Sequence, residues 1–276
     1  MPRQSRKSSN TGIYHVMRRS ENRPLIYIIV LVLLSIFSCS EKENYHGDDI
    51  RLWKDTEAWE FAKSISKNDF EKAEEILAKG KIDVDYREPK YGQTLLFWAV
   101  WNADFDAVKF LINHGAGPNT HNTYNGNSPI AIASDYFIRS DILVYLLSHG
   151  GNPNDYVKKD EKLSYAPVNE TPLIRAAFTS LEKTKILVKA GADVNFFVDN
   201  DFRNTPLLSA ERRTNLDIVE YLFLECKADY KKSYVITIDT GDTLSFKDII
   251  QKRRLVTAKD SIVAKRIIEI IDEQSQ

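Results

Sequence analysis

The chain has 276 residues, 43% hydrophobic and 28% charged, which excludes disorder as its general state and is long enough to bury a sizeable core. Lys plus Arg number 38 against 39 Asp plus Glu, so the formal charge is −1 and the total lacks the basic excess that phosphate binding demands. Two cysteines, Cys39 and Cys226, are too few for a disulfide framework.

The first element in chain order is an address. Residues 25–37 (LIYIIVLVLLSIF) carry no charge and follow Arg18, Arg19 and Arg23. A basic flank, a short apolar run and then small residues are the layout of a secretory signal. As a helix the run rises roughly 20 Å, short of the roughly 30 Å hydrocarbon core, so an uncleaved spanning helix is the weaker reading. The run ends in Ser35-Ile36-Phe37-Ser38-Cys39-Ser40, which resembles a bacterial lipoprotein lipobox. That resemblance implies cleavage before Cys39, a diacylglyceryl thioether on its sulfur and an acyl group on the freed amine. Phe37 departs from the pattern, a small residue being usual there, and ordinary signal cleavage near Ser38 or Ser40 is the alternative. The expected organisation is a signal peptide over 1–38, with Met17 as an alternative start, a lipid-anchored tether over 39–50 and a folded domain over 51–276. The tether is polar and without apolar period. Glu41 and Glu43 resemble the acidic stretch that directs some lipoproteins to the surface. The implied location is the bacterial cell envelope, on the periplasmic side of a membrane or at the cell surface.

From about residue 53 onward the chain repeats itself. Thr94-Leu95-Leu96, Ser128-Pro129-Ile130, Thr171-Pro172-Leu173 and Thr205-Pro206-Leu207 recur at intervals of 34, 43 and 34 residues. Ala99, Ala133, Ala176 and Ala210 follow at a fixed offset. A second signature comes later in each unit: Gly115-Ala116-Gly117-Pro118-Asn119, Gly150-Gly151-Asn152-Pro153-Asn154 and Gly191-Ala192-Asp193-Val194-Asn195, with Lys227-Ala228-Asp229-Tyr230 as a worn copy. Each slot has a physical job. Thr or Ser caps a first helix, and Pro in its first turn sacrifices no needed N–H. The alanine admits close helix packing, Gly ends the second helix in the left-handed conformation, and Asn, Asp and Pro turn the chain into a loop. Phe105, Val108 and Phe110-Leu111-Ile112, like Leu216, Val219 and Leu222-Phe223, lie at helical spacing.

These residues resemble the ankyrin repeat, a unit of about 33 residues with a T-P-L-H-x-A core. The resemblance implies an all-α ankyrin-repeat solenoid of about five helix-turn-helix repeats, over 53–86, 91–120, 125–155, 169–196 and 203–232, with protruding β-turn or hairpin loops and a C-terminal cap over 241–272. The first repeat lacks the Thr-Pro step, and its charged first helix (Lys54, Asp55, Glu57, Glu60) suits a cap that meets water. Gly241-Asp242-Thr243-Leu244 is expected to open the capping unit, and Ile262, Val263, Ile267, Ile268 and Ile271 to mark its last helix. Two insertions fall in loops: about nine extra residues near 155–168 (DYVKKDEKLSYAPV), and 231–240 (KKSYVITIDT), whose alternation predicts a hairpin.

No phosphate loop, G-x-S-x-G, H-E-x-x-H or paired C-x-x-C occurs, so catalysis has no candidate residues and no cofactor or metal is expected. His114 and His149 precede helix-ending glycines and are expected to reach the last helical carbonyls. Cys226 is expected to be a small half-buried thiol, with nothing nearby to activate it. The ankyrin resemblance places partner binding on first helices and loop tips. Carried across, the helix positions are Trp101, Asn102, Tyr136, Phe137, Phe178, Arg212 and Arg213. The loop positions are Tyr86, Tyr91, Tyr124, Tyr156, Tyr165, Phe196, Phe202, Tyr230 and Tyr234, whereas Trp98 faces the core. Exposed Trp, Tyr and Arg dominate protein interfaces. The expected function is protein binding by a monomeric, envelope-tethered module with no nucleic-acid partner. Resemblance alone points further to an immunity role against a secreted antibacterial effector; the alternatives are a scaffold or adaptor role in the envelope, or an enzyme with an unrecognised site.

Overall fold

The computed structural model describes residues 45–156, 170–197, 204–213, 216–236, 241–253 and 257–275. The signal segment, Cys39, most of the 155–168 insertion, Tyr165 and Phe202 lie outside the described residues.

Helices come in consecutive pairs. The first pair is α1 (Trp59–Ile65) and α2 (Phe70–Ala78), the second α3 (Leu95–Trp101) and α4 (Phe105–Asn113), and the third α5 (Pro129–Ala133) and α6 (Ser140–Ser148). The fourth is α7 (Pro172–Ala177) and α8 (Leu181–Lys189), and the fifth α9 (Pro206–Arg212) and α10 (Leu216–Glu220), which continues as a wider-wound turn over Tyr221–Glu225. A last pair, α11 (Phe246–Lys252) and α12 (Ala258–Glu273), packs on the fifth. This is the all-α solenoid of helix pairs that the repeats predict.

The repeated slots do the work assigned to them. The hydroxyls of Thr94, Ser128, Thr171 and Thr205 accept hydrogen bonds from the backbone N–H of Phe97, Ala131, Ile174 and Leu208, at 3.0–3.3 Å. Ala99, Ala133, Ala176 and Ala210 are completely buried. Second helices turn Val108 and Leu111, Ile142 and Leu146, or Ile218 and Leu222 into the core.

At the end of α6, Gly150 takes φ +89°, and Gly151 lies so close to the preceding turn that a Cβ would stand 2.8 Å from the Leu146 carbonyl oxygen and 2.9 Å from Ile130 Cδ1. Gly151→Ala should therefore cost about 1–3 kcal/mol, through a forced backbone shift. A thermal melt with far-UV circular dichroism checks this; a wild-type midpoint would mean the approach is not tight. In the worn copy the same turn is made by Lys227 at φ +55°.

The loops are riveted together repeat by repeat. Asn119 Nδ2 donates to Gly150 O at 2.9 Å while its Oδ1 accepts from Asn152 N at 2.8 Å. Asn154 makes the same two bonds to Gly191 O and Asp193 N, at 3.0 and 2.7 Å. Asn195 continues the series by accepting from Asp229 N at 2.7 Å. Beside this ladder, Asp155 is buried and accepts from His121 Nε2 at 2.9 Å and from the Ser128 hydroxyl.

Both ends differ from expectation. The hairpin reaches past 231–240: β1 (Val235–Ile236) pairs antiparallel with β2 (Thr243–Leu244), Val235 opposite Leu244 and Ile236 opposite Thr243. Thr243-Leu244, expected to open the capping unit, is therefore strand. The capping unit's first helix begins after Ser245, whose reciprocal box with Asp248 satisfies two backbone donors at the helix start. On α12, Val263, Ile267 and Ile271 are buried, Ile268 is partly buried and Ile262 is exposed. At the N-terminus, α1 starts only at Trp59, so of the four charged residues assigned to it only Glu60 is helical. Trp53 is completely buried at the end of a short 3-10 turn, and the chain reverses at Asp55 (φ +66°) before α1 begins.

Candidate functional site

The first helices end in large exposed rings. Trp101 closes α3 at 40% exposure, Tyr136 and Phe137 follow α5 at 68% and 48%, and Phe178 follows α7 at 38%. Three of them touch: Trp101 meets Phe137 edge-on at 5.6 Å, and Phe137 meets Tyr136 edge-on at 5.6 Å. Phe97 stacks behind Trp101 at 6.3 Å. Further along, the Arg213 guanidinium lies 4.8 Å over the Phe178 ring. A cleft of about 270 Å³ opens there between Tyr136, Phe178, Arg212 and Arg213, floored by Arg175 and Asn204. All seven helix positions inferred from the sequence thus lie at the ends of first helices. Asn102 is exposed as well, but its side chain is occupied in bonding Trp98 O at 2.9 Å. Trp98 is a core residue, as expected, and donates from Nε1 to Asp48 O at 2.7 Å.

Beneath the rings runs a buried polar network. Arg175 Nη1 donates to both Asp135 carboxylate oxygens at 3.0 and 3.2 Å, and Nη2 donates to Asn127 Oδ1 at 2.9 Å. Burial pushes the Asp135 carboxyl above its ordinary range, and the Arg175 charge opposes that. Lys183 of α8 is almost completely buried and donates to the carbonyls of Ala133, Asp135 and Ile138. None of this network was evident from the sequence.

The loop positions are less available than the helix ones. Tyr91 packs edge-on against Tyr124 of the next loop at 5.2 Å, and Tyr156 against Phe196 at 5.0 Å. Tyr86, Tyr230 and Tyr234 are half-buried, the last two lining a groove over Phe246 and Ile271. These rings tie neighbouring loops together as well as facing outward.

His114 and His149 each place Nδ1 2.8 Å from a carbonyl four residues back, Phe110 O and Tyr145 O. Cys226 is half-buried, and burial pushes its thiol up, against a hydrogen bond from Tyr221. Among the described residues no three His, Cys, Asp or Glu side chains group so as to hold a metal ion.

The family model for ankyrin repeats, in three copies, matches residues 61–157. A Danio rerio protein named as a palmitoyltransferase, ZDHHC13, is 27% identical over 61% of this chain and 30% of its own length. A Rickettsia felis protein named for its ankyrin repeats is 29% identical over 57% of this chain and 34% of its own. The human transient receptor potential cation channel subfamily A member 1 is 28% identical over 47% of this chain and 11% of its own. The chain thus spans about a third or less of these curated relatives. Among solved structures, the ankyrin repeat protein EF0377 aligns with a TM-score of 0.55 at 26% identity, covering 77% of this chain and 98% of that one. An ankyrin repeat domain from Acinetobacter baumannii aligns with a TM-score of 0.57 at 22% identity, covering 75% and 95%. Paired helices and structural neighbours agree with the matched segment: residues 61–157 match ankyrin repeats, and the chain folds as an ankyrin-repeat solenoid.

Proposed function

We propose that the chain captures a partner protein through the aromatic ends of its first helices while held at the bacterial envelope by a lipidated Cys39. One observation carries the first part. Trp101, Phe137, Tyr136 and Phe178 expose 38–68% of their surface on one succession of helix ends, where the core has no use for them. Exposed rings edged by arginine are the composition of interface hot spots. The ankyrin-repeat fold, which generally mediates protein–protein interaction, supports the same reading. The second part is supported by the basic flank, apolar run and lipobox-like step at residues 18–39. Several buried acyl chains hold a protein firmly, at about 0.8 kcal/mol per CH₂. Within this reading, neutralising a secreted antibacterial effector is the finer role favoured by the resemblance to anchored ankyrin proteins. An adjacent toxin or phospholipase reading frame would support it over envelope scaffolding.

The test is affinity capture from detergent-solubilised envelope with the tagged full chain and with a Trp101→Ala, Tyr136→Ala, Phe137→Ala triple variant. The wild type should retain a specific protein that the triple variant loses. Equal recovery by both would sink the assignment of the face. In the same cells, Cys39→Ser should move the chain out of the membrane fraction.

A further inference from the structure

α5 is only five residues long, two fewer than α3 and α9, and residues 134–139 then form the turn that displays Tyr136 and Phe137. A helix end leaves its last carbonyls without partners of its own. Here three carbonyls of the helix end and turn share one donor from the neighbouring repeat. Lys183 Nζ donates to Ala133 O at 2.8 Å, to Ile138 O at 2.6 Å and to Asp135 O. All three ammonium hydrogens therefore have acceptors, and every acceptor belongs to this segment.

The position makes the lysine unusual. Lys183 stands third in α8; the third residues of α4, α6 and α10 are the completely buried Ala107, Ile142 and Ile218, and that of α2 is a lysine, Lys72, which unlike Lys183 is exposed and pairs with Glu60. An ammonium in that apolar slot costs desolvation that an isoleucine would not. Packing alone thus gives no reason for it, whereas the three carbonyls do. The Asp135 carboxylate is held separately by Arg175, so the turn is gripped at both backbone and side chain. Burial brings the Lys183 ammonium down to about 8, with the Asp135 and Glu182 carboxylates opposing the shift, so in neutral solution it remains charged.

We propose that Lys183 is a positioning residue for the binding face: its ammonium clamps the 134–139 turn and so holds Phe137 against Trp101 and Tyr136 against Phe137. The functional half of this inference rests on the reading that the face binds a partner.

Lys183→Met keeps the unbranched side chain and removes the donors. In the full chain, amide exchange at Ser134, Asp135 and Ile138 should become about tenfold faster or more, while amides of α3 and α9 keep their rates. The near-UV circular dichroism of the Trp101–Phe137–Tyr136 cluster should weaken in parallel, with the far-UV signal retained. Wild-type exchange rates in the turn would overturn the clamp. The wild type offers an independent measurement should the variant fail to fold. By ¹⁵N NMR the Lys183 ammonium should be protected from solvent exchange, and exchange at the rate of a free lysine would overturn the clamp equally. The envelope capture assay separates the two halves. A loosened turn with weakened capture supports both, and a loosened turn with undiminished capture overturns the role of Tyr136 and Phe137 in binding.

Discussion

Glu211→Ala should lower the unfolding free energy by about 3–5 kcal/mol, the usual cost of removing one partner from a buried ion pair. Arg253 Nη1 lies 3.2 Å from Glu211 Oε1, with the two side chains only 5% and 14% exposed. Arg253 Nη2 has no hydrogen-bond partner among the described residues, so this carboxylate is the main compensation for a buried guanidinium. Burial pushes the Glu211 carboxyl up and the Arg253 guanidinium down, each countered by the charge of the other. The pair joins α9 to the end of α11 beside an apolar cluster in which Leu207 and Leu222 are buried with Phe246, Ile250 and Ile267. In a solenoid each unit is supported by its neighbours alone, so the damage should concentrate at the C-terminal end. Denaturant unfolding should show the reduced stability, and amide exchange should rise in α11 and α12 before α3 to α6. Glu211→Gln keeps an acceptor near Arg253 and should lose roughly half as much, since hydrogen bonding survives while the charge is lost. Equal losses for the two variants would mean that packing, not charge, is what Glu211 supplies.

Much of the helix-pair array was legible because each repeated slot does one local job. Thr205 caps, Pro206 opens, Ala210 packs, and Gly191 reverses the chain; none of these needs knowledge of a distant partner. The first-helix aromatics were legible for the same reason, since they follow the packing alanine by a short, nearly fixed interval. The array's ends were harder. Thr243 carries the Thr of the repeat motif but no proline, and its β-branched side chain serves equally in a strand opposite Ile236. Exposure of the loop tyrosines could not be read locally, because Tyr91 and Tyr156 are covered by rings one repeat away. Lys183 was the least legible. Its partners are backbone carbonyls some 45–50 residues distant, and a carbonyl leaves no signature in sequence. Only its break with the apolar slot shared by Ala107, Ile142 and Ile218 marked it.

Once a partner is captured, Phe137→Ala should weaken its binding by about 2–4 kcal/mol, or roughly 30- to 1,000-fold. Phe137 is flanked on two sides, by Trp101 and Tyr136, yet remains 48% exposed. Its ring is held before the partner arrives, so little rotamer entropy remains to be lost, and the area still open is available for burial. Truncation also removes the edge contact that supports Trp101, which should make the two losses non-additive in a double-mutant cycle. Tyr91 and Tyr156 differ because each already packs against a neighbouring ring, so a partner has less area to gain there. Their alanine variants should cost under about 1 kcal/mol, the range of most interface residues outside the hot spot. Titration calorimetry gives the affinities, with thermal midpoints as the folding control. Equal losses at Phe137, Tyr91 and Tyr156 would spread the contact along the loops, whereas a loss concentrated at Phe137 and Trp101 locates it on the first helices.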